Sequence, residues 1–194
     1  MCKASLVSMG FFYFDFSDDE KQTLRGLLSS LLVQLCAQSD AYCDILSRFY
    51  SAHRDGFQYP CGDALTKCLL DMLNSENSPR QAPVYIIVDA LDECPEASGN
   101  ASSRETVLLF LEELVGLNDP NLRICVTSHP EPDIETVLAP LAFCSLSLHN
   151  QVGQLQDIVN YVSSVVNSDQ KMRRWNAEDK KLFTDTLSQR ADGM

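Results

Sequence analysis

Val84-Tyr85-Ile86-Ile87-Val88-Asp89-Ala90-Leu91-Asp92-Glu93-Cys94 is the stretch that decides the fold. Five apolar or aromatic residues drive a strand into a sheet, and an aspartate closes its C-terminal end. The run is apolar at nearly every position rather than every second one. That predicts a strand covered on both faces, as in a parallel sheet sandwiched by helices. Two more carboxylates, Asp92 and Glu93, follow closely. Carboxylates this crowded repel one another unless solvent or a cation neutralises them. Magnesium suits such a place, because it is hard, prefers oxygen, and binds through one or two carboxylates completed by phosphates and water. The competing reading is a strand that ends in an acidic surface loop.

Outward from this segment, three further runs are expected to be strands: Phe11 to Phe16 (FFYFDF), Leu122 to Thr127 (LRICVT) and, most weakly, Cys144 to Leu148 (CSLSL). Helical periods lie between them. Leu24, Leu27, Leu28, Leu31, Leu32 and Leu35 form an amphipathic stripe, more suited to a core than to a partner groove. Further stripes run from Tyr42 to Tyr50, Leu65 to Leu73, Val107 to Val115 and Leu155 to Val166. Another helix is expected to begin at Asn176, a good N-cap with Asp179 three residues on. Strands alternating with helices predict an α/β fold with a parallel sheet, whose ligands sit at the C-terminal ends of the strands.

Those ends carry the resemblance. VYIIVDALDEC resembles the Walker B motif of a P-loop NTPase. Leu122-Arg-Ile-Cys-Val-Thr127-Ser128-His129-Pro130-Glu131-Pro132 is similar to the sensor strand and turn that follow it one helix later. With FFYFDFSDDEKQTLRGLLSSLLVQL, which resembles the second strand and helix of the same class, the blocks stand in the order of a NACHT-type domain of the STAND signalling NTPases. The fungal version, the nephrocystin-like N-terminal domain, is the nearest in pattern. The resemblance covers most of Phe11 to Met194, and Ala191-Asp192-Gly193-Met194 looks like the start of a motif that continues into another helix.

The resemblance implies roles. Asp89 would hold magnesium through water, Asp92 or Glu93 would orient or polarise the attacking water, and Thr127, Ser128 and His129 would form a sensor turn near the γ-phosphate. It implies Mg and ATP or ADP as cofactors of intact relatives, and a switch that couples sensing repeats to an effector. It also implies an incomplete P-loop-type sheet over residues 1–150, with 151–194 beginning the helical region that follows. Two departures matter. No Gly-x-x-x-x-Gly-Lys-[Ser/Thr] occurs, because no glycine precedes a lysine. Backbone N–H groups and a lysine to hold phosphates are therefore missing. Cys2 to Gly10 resemble the connection after the P-loop helix, so the chain is expected to begin beyond the nucleotide cradle. His129 stands where the family usually has arginine, and a mostly neutral imidazole is a poorer phosphate contact.

From this we expect a fragment or degenerate form of a signalling NTPase domain that binds no nucleotide alone and is not an independent ATPase. In this class the P-loop strand lies between the sensor strand and the last strand. A gapped or poorly paired sheet is therefore expected beside Leu122 to Thr127. The alternative is a non-catalytic scaffold that pairs with itself or with an intact relative through that edge.

Composition fits a soluble, cytoplasmic domain. The 194 residues carry 27 acidic and 15 basic side chains, a net charge of −12. That argues against nucleic acid and anionic lipid as partners. No apolar run reaches the length of a membrane helix, and Ala4 to Phe14 lacks a signal-peptide cleavage site. The eight cysteines show no CxxC spacing and are expected to be reduced, buried thiols. The sequon at Asn100 is read as chance. A small hydrolase using Cys94 or Cys125 with His53, His129 or His149 lacks a nucleophile motif.

Overall fold

The computed structural model describes residues 7–53, 59–74, 83–96, 103–147 and 152–190. It divides into two compact units, Met1–Ala142 and Phe143–Met194. The first is an α/β unit with a three-stranded parallel sheet in the order β1 (Ser8–Tyr13), β2 (Val84–Asp89), β3 (Leu122–Val126). Its helices are α1 (Leu24–Cys36), α2 (Asp40–Ala52), α3 (Gly62–Leu73), α4 (Ser103–Gly116) and α5 (Pro132–Leu138).

The register runs straight across: Ser8, Val84 and Leu122 are aligned, then Gly10, Ile86 and Ile124, then Phe12, Val88 and Val126. These positions alternate along each strand, so they share one face, and that face meets the core. The leucine stripe of α1 supplies Leu27, Leu28, Leu31, Leu32 and Leu35, all buried. Tyr42 of α2, Leu65, Cys68, Leu69 and Met72 of α3, and Val107, Leu108, Phe110, Leu111 and Leu114 of α4 complete it. Gly10 sits under the buried Leu31 side chain. A Cβ there would lie 2.8 Å from Leu31 Cδ2 and 4.0 Å from Leu31 Cα, so the Leu31 side chain would have to shift to admit it.

β2 has the expected bounds, while β1 begins and ends earlier than Phe11 to Phe16. Pairing sets the limit: Tyr13 lies opposite Asp89, the last residue of β2, and Phe16 beyond it is exposed. Within the described residues of the first unit, the expectation that both faces of the sheet are covered is not met. Met9, Phe11, Tyr13, Tyr85, Arg123 and Cys125 share the second face and are exposed, with Ile87 half-buried among them. Within the first unit, no described helix lies across this face of β2.

The two sheet edges differ. At β1, two glutamines one turn apart on the α1 side act as a surrogate strand. The Met9 N–H donates to Gln38 Oε1 at 2.9 Å, and Gln38 Nε2 donates back to the Met9 carbonyl at 2.6 Å. The Phe11 N–H and carbonyl make the same pair with Gln34, at 3.0 and 2.7 Å. This edge is thereby blunted against further pairing. At β3, β2 is the sole strand partner among the described residues. The fourth strand expected at Cys144 to Leu148 does not form over 144–147, which are irregular and exposed; Leu148 lies outside the described residues. A short run of alternating serines has too little apolar surface to hold a strand without a neighbour.

The second unit contains α6 (Val152–Ser168) and α7 (Ala177–Arg190). Asn176 caps α7 as expected, with its Oδ1 accepting from the Asp179 N–H at 2.7 Å. Trp175 stacks edge-on against Phe183 at 5.4 Å, and Val166 of α6 is buried.

Candidate functional site

The site forms where β2 and β3 end. Thr127, one residue past β3, ties the two ends together. Its N–H donates to the Val88 carbonyl at 2.9 Å, and its carbonyl accepts from the Leu91 N–H at 3.0 Å. Its hydroxyl accepts from the Ala90 N–H at 3.1 Å and donates to Asp89 Oδ1. Ala90 is left-handed, with φ 53° and ψ 49°, a conformation that costs an L-residue about 1–2 kcal/mol. The turn reverses the chain into a short 3-10 segment, Leu91–Glu93, anchored by the buried side chain of Leu91.

Asp92 and Glu93 leave that segment in different directions. Asp92 Oδ1 accepts from the His129 N–H at 2.9 Å, on the β3 side. Glu93 Oε2 accepts from the Phe16 N–H at 3.0 Å, on the β1 side. The structure therefore groups Asp89, Asp92, Thr127 and His129, and sets Glu93 apart. Ser128 turns its hydroxyl to the His129 carbonyl at 2.6 Å. The link from His129 to Asp92 is made by backbone, not imidazole. Asp89, Thr127, Ser128 and His129 are all exposed.

Arg104 was not legible as a site residue, yet it holds the loop. It is buried on α4. Its Nε donates to the Cys94 carbonyl at 2.8 Å and its Nη2 to the Asp92 carbonyl at 2.7 Å. Its Nη1 reaches both carboxylate oxygens of Asp133 in the first turn of α5, at 3.3 Å each. One guanidinium thus fixes the acidic loop to the helix that follows the β3 turn. The available signal was position: Arg104 lies three and four residues before Val107 and Leu108, on the apolar stripe.

Among the described residues no group of three or more His, Cys, Asp or Glu is placed to hold a metal ion by itself. An exposed strand-end carboxylate hydrogen-bonded to a threonine does fit a magnesium ion held through water, whose remaining ligands are phosphate and solvent.

A model of the nephrocystin 3, N-terminal family matches residues 2–129. The chain belongs to this family. The matched span contains β1, β2, β3 and every candidate site residue from Asp89 to His129. No curated protein and no solved structure matches the chain.

In this nephrocystin 3 N-terminal domain the connection after β1 has its own charge cluster. Lys21 donates to the Tyr13 hydroxyl at 2.8 Å, which chiefly raises its pKa, and lies 3.6 Å from Asp18 and 3.9 Å from Asp15. The hydroxyl and N–H of Ser17 hold the Asp15 carboxyl below its usual range, helped by Lys21. Among the described residues no cation pairs with Asp89, Asp92 or Glu93. Cys94 is fully buried and its Sγ donates to the Gln22 carbonyl at 3.3 Å. Burial pushes its pKa up to about 11, against the pull of Ser103 and Arg104. It is a core thiol rather than a nucleophile. No helix among the described residues is long and apolar enough to cross a membrane.

Proposed function

We propose that this chain carries the Walker B and sensor half of a NACHT-type signalling NTPase domain and does not hydrolyse nucleotide alone. One observation carries the reading. The acidic loop after β2 is bonded to the turn after β3 through Asp89–Thr127 and Asp92–His129, at the C-terminal ends of adjacent parallel strands. In open α/β sheets that is where ligands bind.

Magnesium, when present with a nucleotide, supplies charge neutralisation between phosphate oxygens. Asp89 is the residue that would hold it through water, with Thr127 fixing the carboxylate's orientation. Asp92 would orient a water, its own position set by the His129 N–H and by the grip of Arg104 on its carbonyl. Glu93, engaged on the β1 side, is the less suited of the two. The sequence offers no glycine-rich loop or lysine for the phosphates, so the carboxylates face an anionic ligand without a cradle.

Grafting tests this. A Gly-x-x-x-x-Gly-Lys-Thr strand, loop and helix from a P-loop NTPase, fused ahead of β1, is expected to confer Mg-ATP binding. Asp89→Ala in the fusion should weaken it at least about tenfold, the size of one charge-assisted contact. A folded fusion that binds Mg-ATP equally well with and without Asp89 would contradict the assignment.

A second reading is an interaction module in which the half-fold is a scaffold. It is favoured by a β3 edge with no second strand partner among the described residues and by the exposed apolar face of the sheet. Nucleotide binding that arises only when the chain is mixed with an intact relative would select it. Both readings place the protein in the cytoplasm with protein partners.

A further inference from the structure

We propose that the basic groove between α6 and α7 docks the acidic outer face of α4 in a second copy of this chain. Nothing in the nucleotide reading uses either surface. Charge is divided unevenly along the chain. Phe143–Met194 holds six acidic and six basic side chains, so the whole net charge of −12 belongs to Met1–Ala142. Five of those basic residues, Lys171, Arg173, Arg174, Lys180 and Lys181, fall within eleven positions that hold two acidic ones, Glu178 and Asp179. Lys180 is half-buried and the other four are exposed. Among the described residues none of the five makes an ion pair. At physiological salt a charge is felt over only about 8 Å, so this patch, not the net charge, decides what docks against it.

Lys180 and Lys181 line a groove of about 370 Å³ between the two helices. Val159 and Val166 from α6 and Ala177 from α7 are its apolar lining, and Asp185 is its one acidic residue. Such a groove takes an apolar side chain flanked by carboxylates. The outer face of α4 offers that combination. Leu109 is 56% exposed there. Glu112 and Glu113, three and four residues on, share its side of the helix and are exposed. Leu109 enters the groove, and the glutamates meet Lys180 and Lys181, away from Asp185.

The occupant is a second copy because one chain carries both halves of the contact, the basic groove on one unit and the acidic helix face on the other. Two copies docked reciprocally make the contact twice, about a two-fold axis. Each contact sets the unit without net charge against the acidic one, so the two acidic units are not brought face to face.

Sedimentation velocity on the full chain tests this. The wild type is expected to pass from monomer to dimer at micromolar concentrations, the weak end for an interface of ordinary size. Lys180→Glu with Lys181→Glu, and separately Glu112→Lys with Glu113→Lys, should each raise the dimer Kd at least about tenfold, because like charges then face each other. Leu109→Ser, which keeps every charge, should weaken the dimer too. An equimolar mixture of the two charge-reversed variants should regain wild-type dimerisation, since the reversed groove meets the reversed helix and the native groove the native helix. A wild-type chain that stays monomeric, a dimer that ignores both reversals, or reversed variants that fail to pair when mixed would overturn the proposal.

Discussion

Arg104→Leu is expected to lower the unfolding free energy of the α/β unit by about 3 kcal/mol, at the lower end for a broken buried ion pair because Asp133 is partly exposed. The loss has two parts. The carbonyls of Asp92 and Cys94 lose their charged donor, and Asp133 loses its guanidinium. Each orphaned group in a part-buried place costs about 1–3 kcal/mol. Leucine matches the apolar stem but returns none of the donors. Arg104→Lys should recover little, because one ammonium cannot span two carbonyls and a carboxylate in the fork geometry of arginine. Urea unfolding of the three proteins gives the answer. If the lysine variant is as stable as the wild type, the guanidinium is not the clamp described here.

Gly26→Ala should also destabilise strongly, by about 2 kcal/mol, although alanine is the better helix former by about 1 kcal/mol. A Cβ at Gly26 would sit 2.1 Å from the Glu20 carbonyl oxygen and 3.3 Å from its carbon. That oxygen belongs to the 3-10 turn Asp19–Gln22 that leads into α1, so backbone must shift rather than a side chain. The Gly26 N–H is also the donor to the Thr23 Oγ1 cap, at 3.1 Å. Gly116→Ala is the control: at the end of α4 its Cβ meets nothing within 4 Å, and no loss is expected. Equal thermal midpoints for the two variants would refute the close approach.

What the sequence revealed followed from apolar periodicity. Val84 to Asp89 and the leucine stripe of α1 were legible because burial alone selects their residues. Periodicity is silent about polar side chains that act on backbone. Gln34 and Gln38 look like ordinary helix-surface residues until β1 lies beside them. Arg104 looks like an interruption of an apolar face until the acidic loop folds over it. Apolar patterning also misled in two places. It implied a second covered face, whereas Phe11, Tyr13 and Tyr85 are exposed. It placed the cysteines in the core, whereas Cys43, Cys61, Cys125 and Cys144 are exposed. Cysteine occupies apolar positions without needing burial, so its place in a stripe says little.

The candidate site was legible in part. Asp89 and Thr127 were named from strand-end position, and parallel pairing of β2 with β3 brings them into contact. The separation of Glu93 from Asp92 was not, because adjacent residues in a 3-10 turn diverge according to the backbone groups they meet, here the N–H of Phe16 and that of His129.

Calorimetric titration of Mg-ATP and Mg-ADP into the purified chain, with Asp89→Ala beside it, tests the central claim most directly. An acidic strand-end site without a phosphate cradle predicts no binding heat from either protein. Micromolar binding by the wild type that vanishes in Asp89→Ala would contradict it, and would mean that another set of backbone N–H groups holds the phosphates.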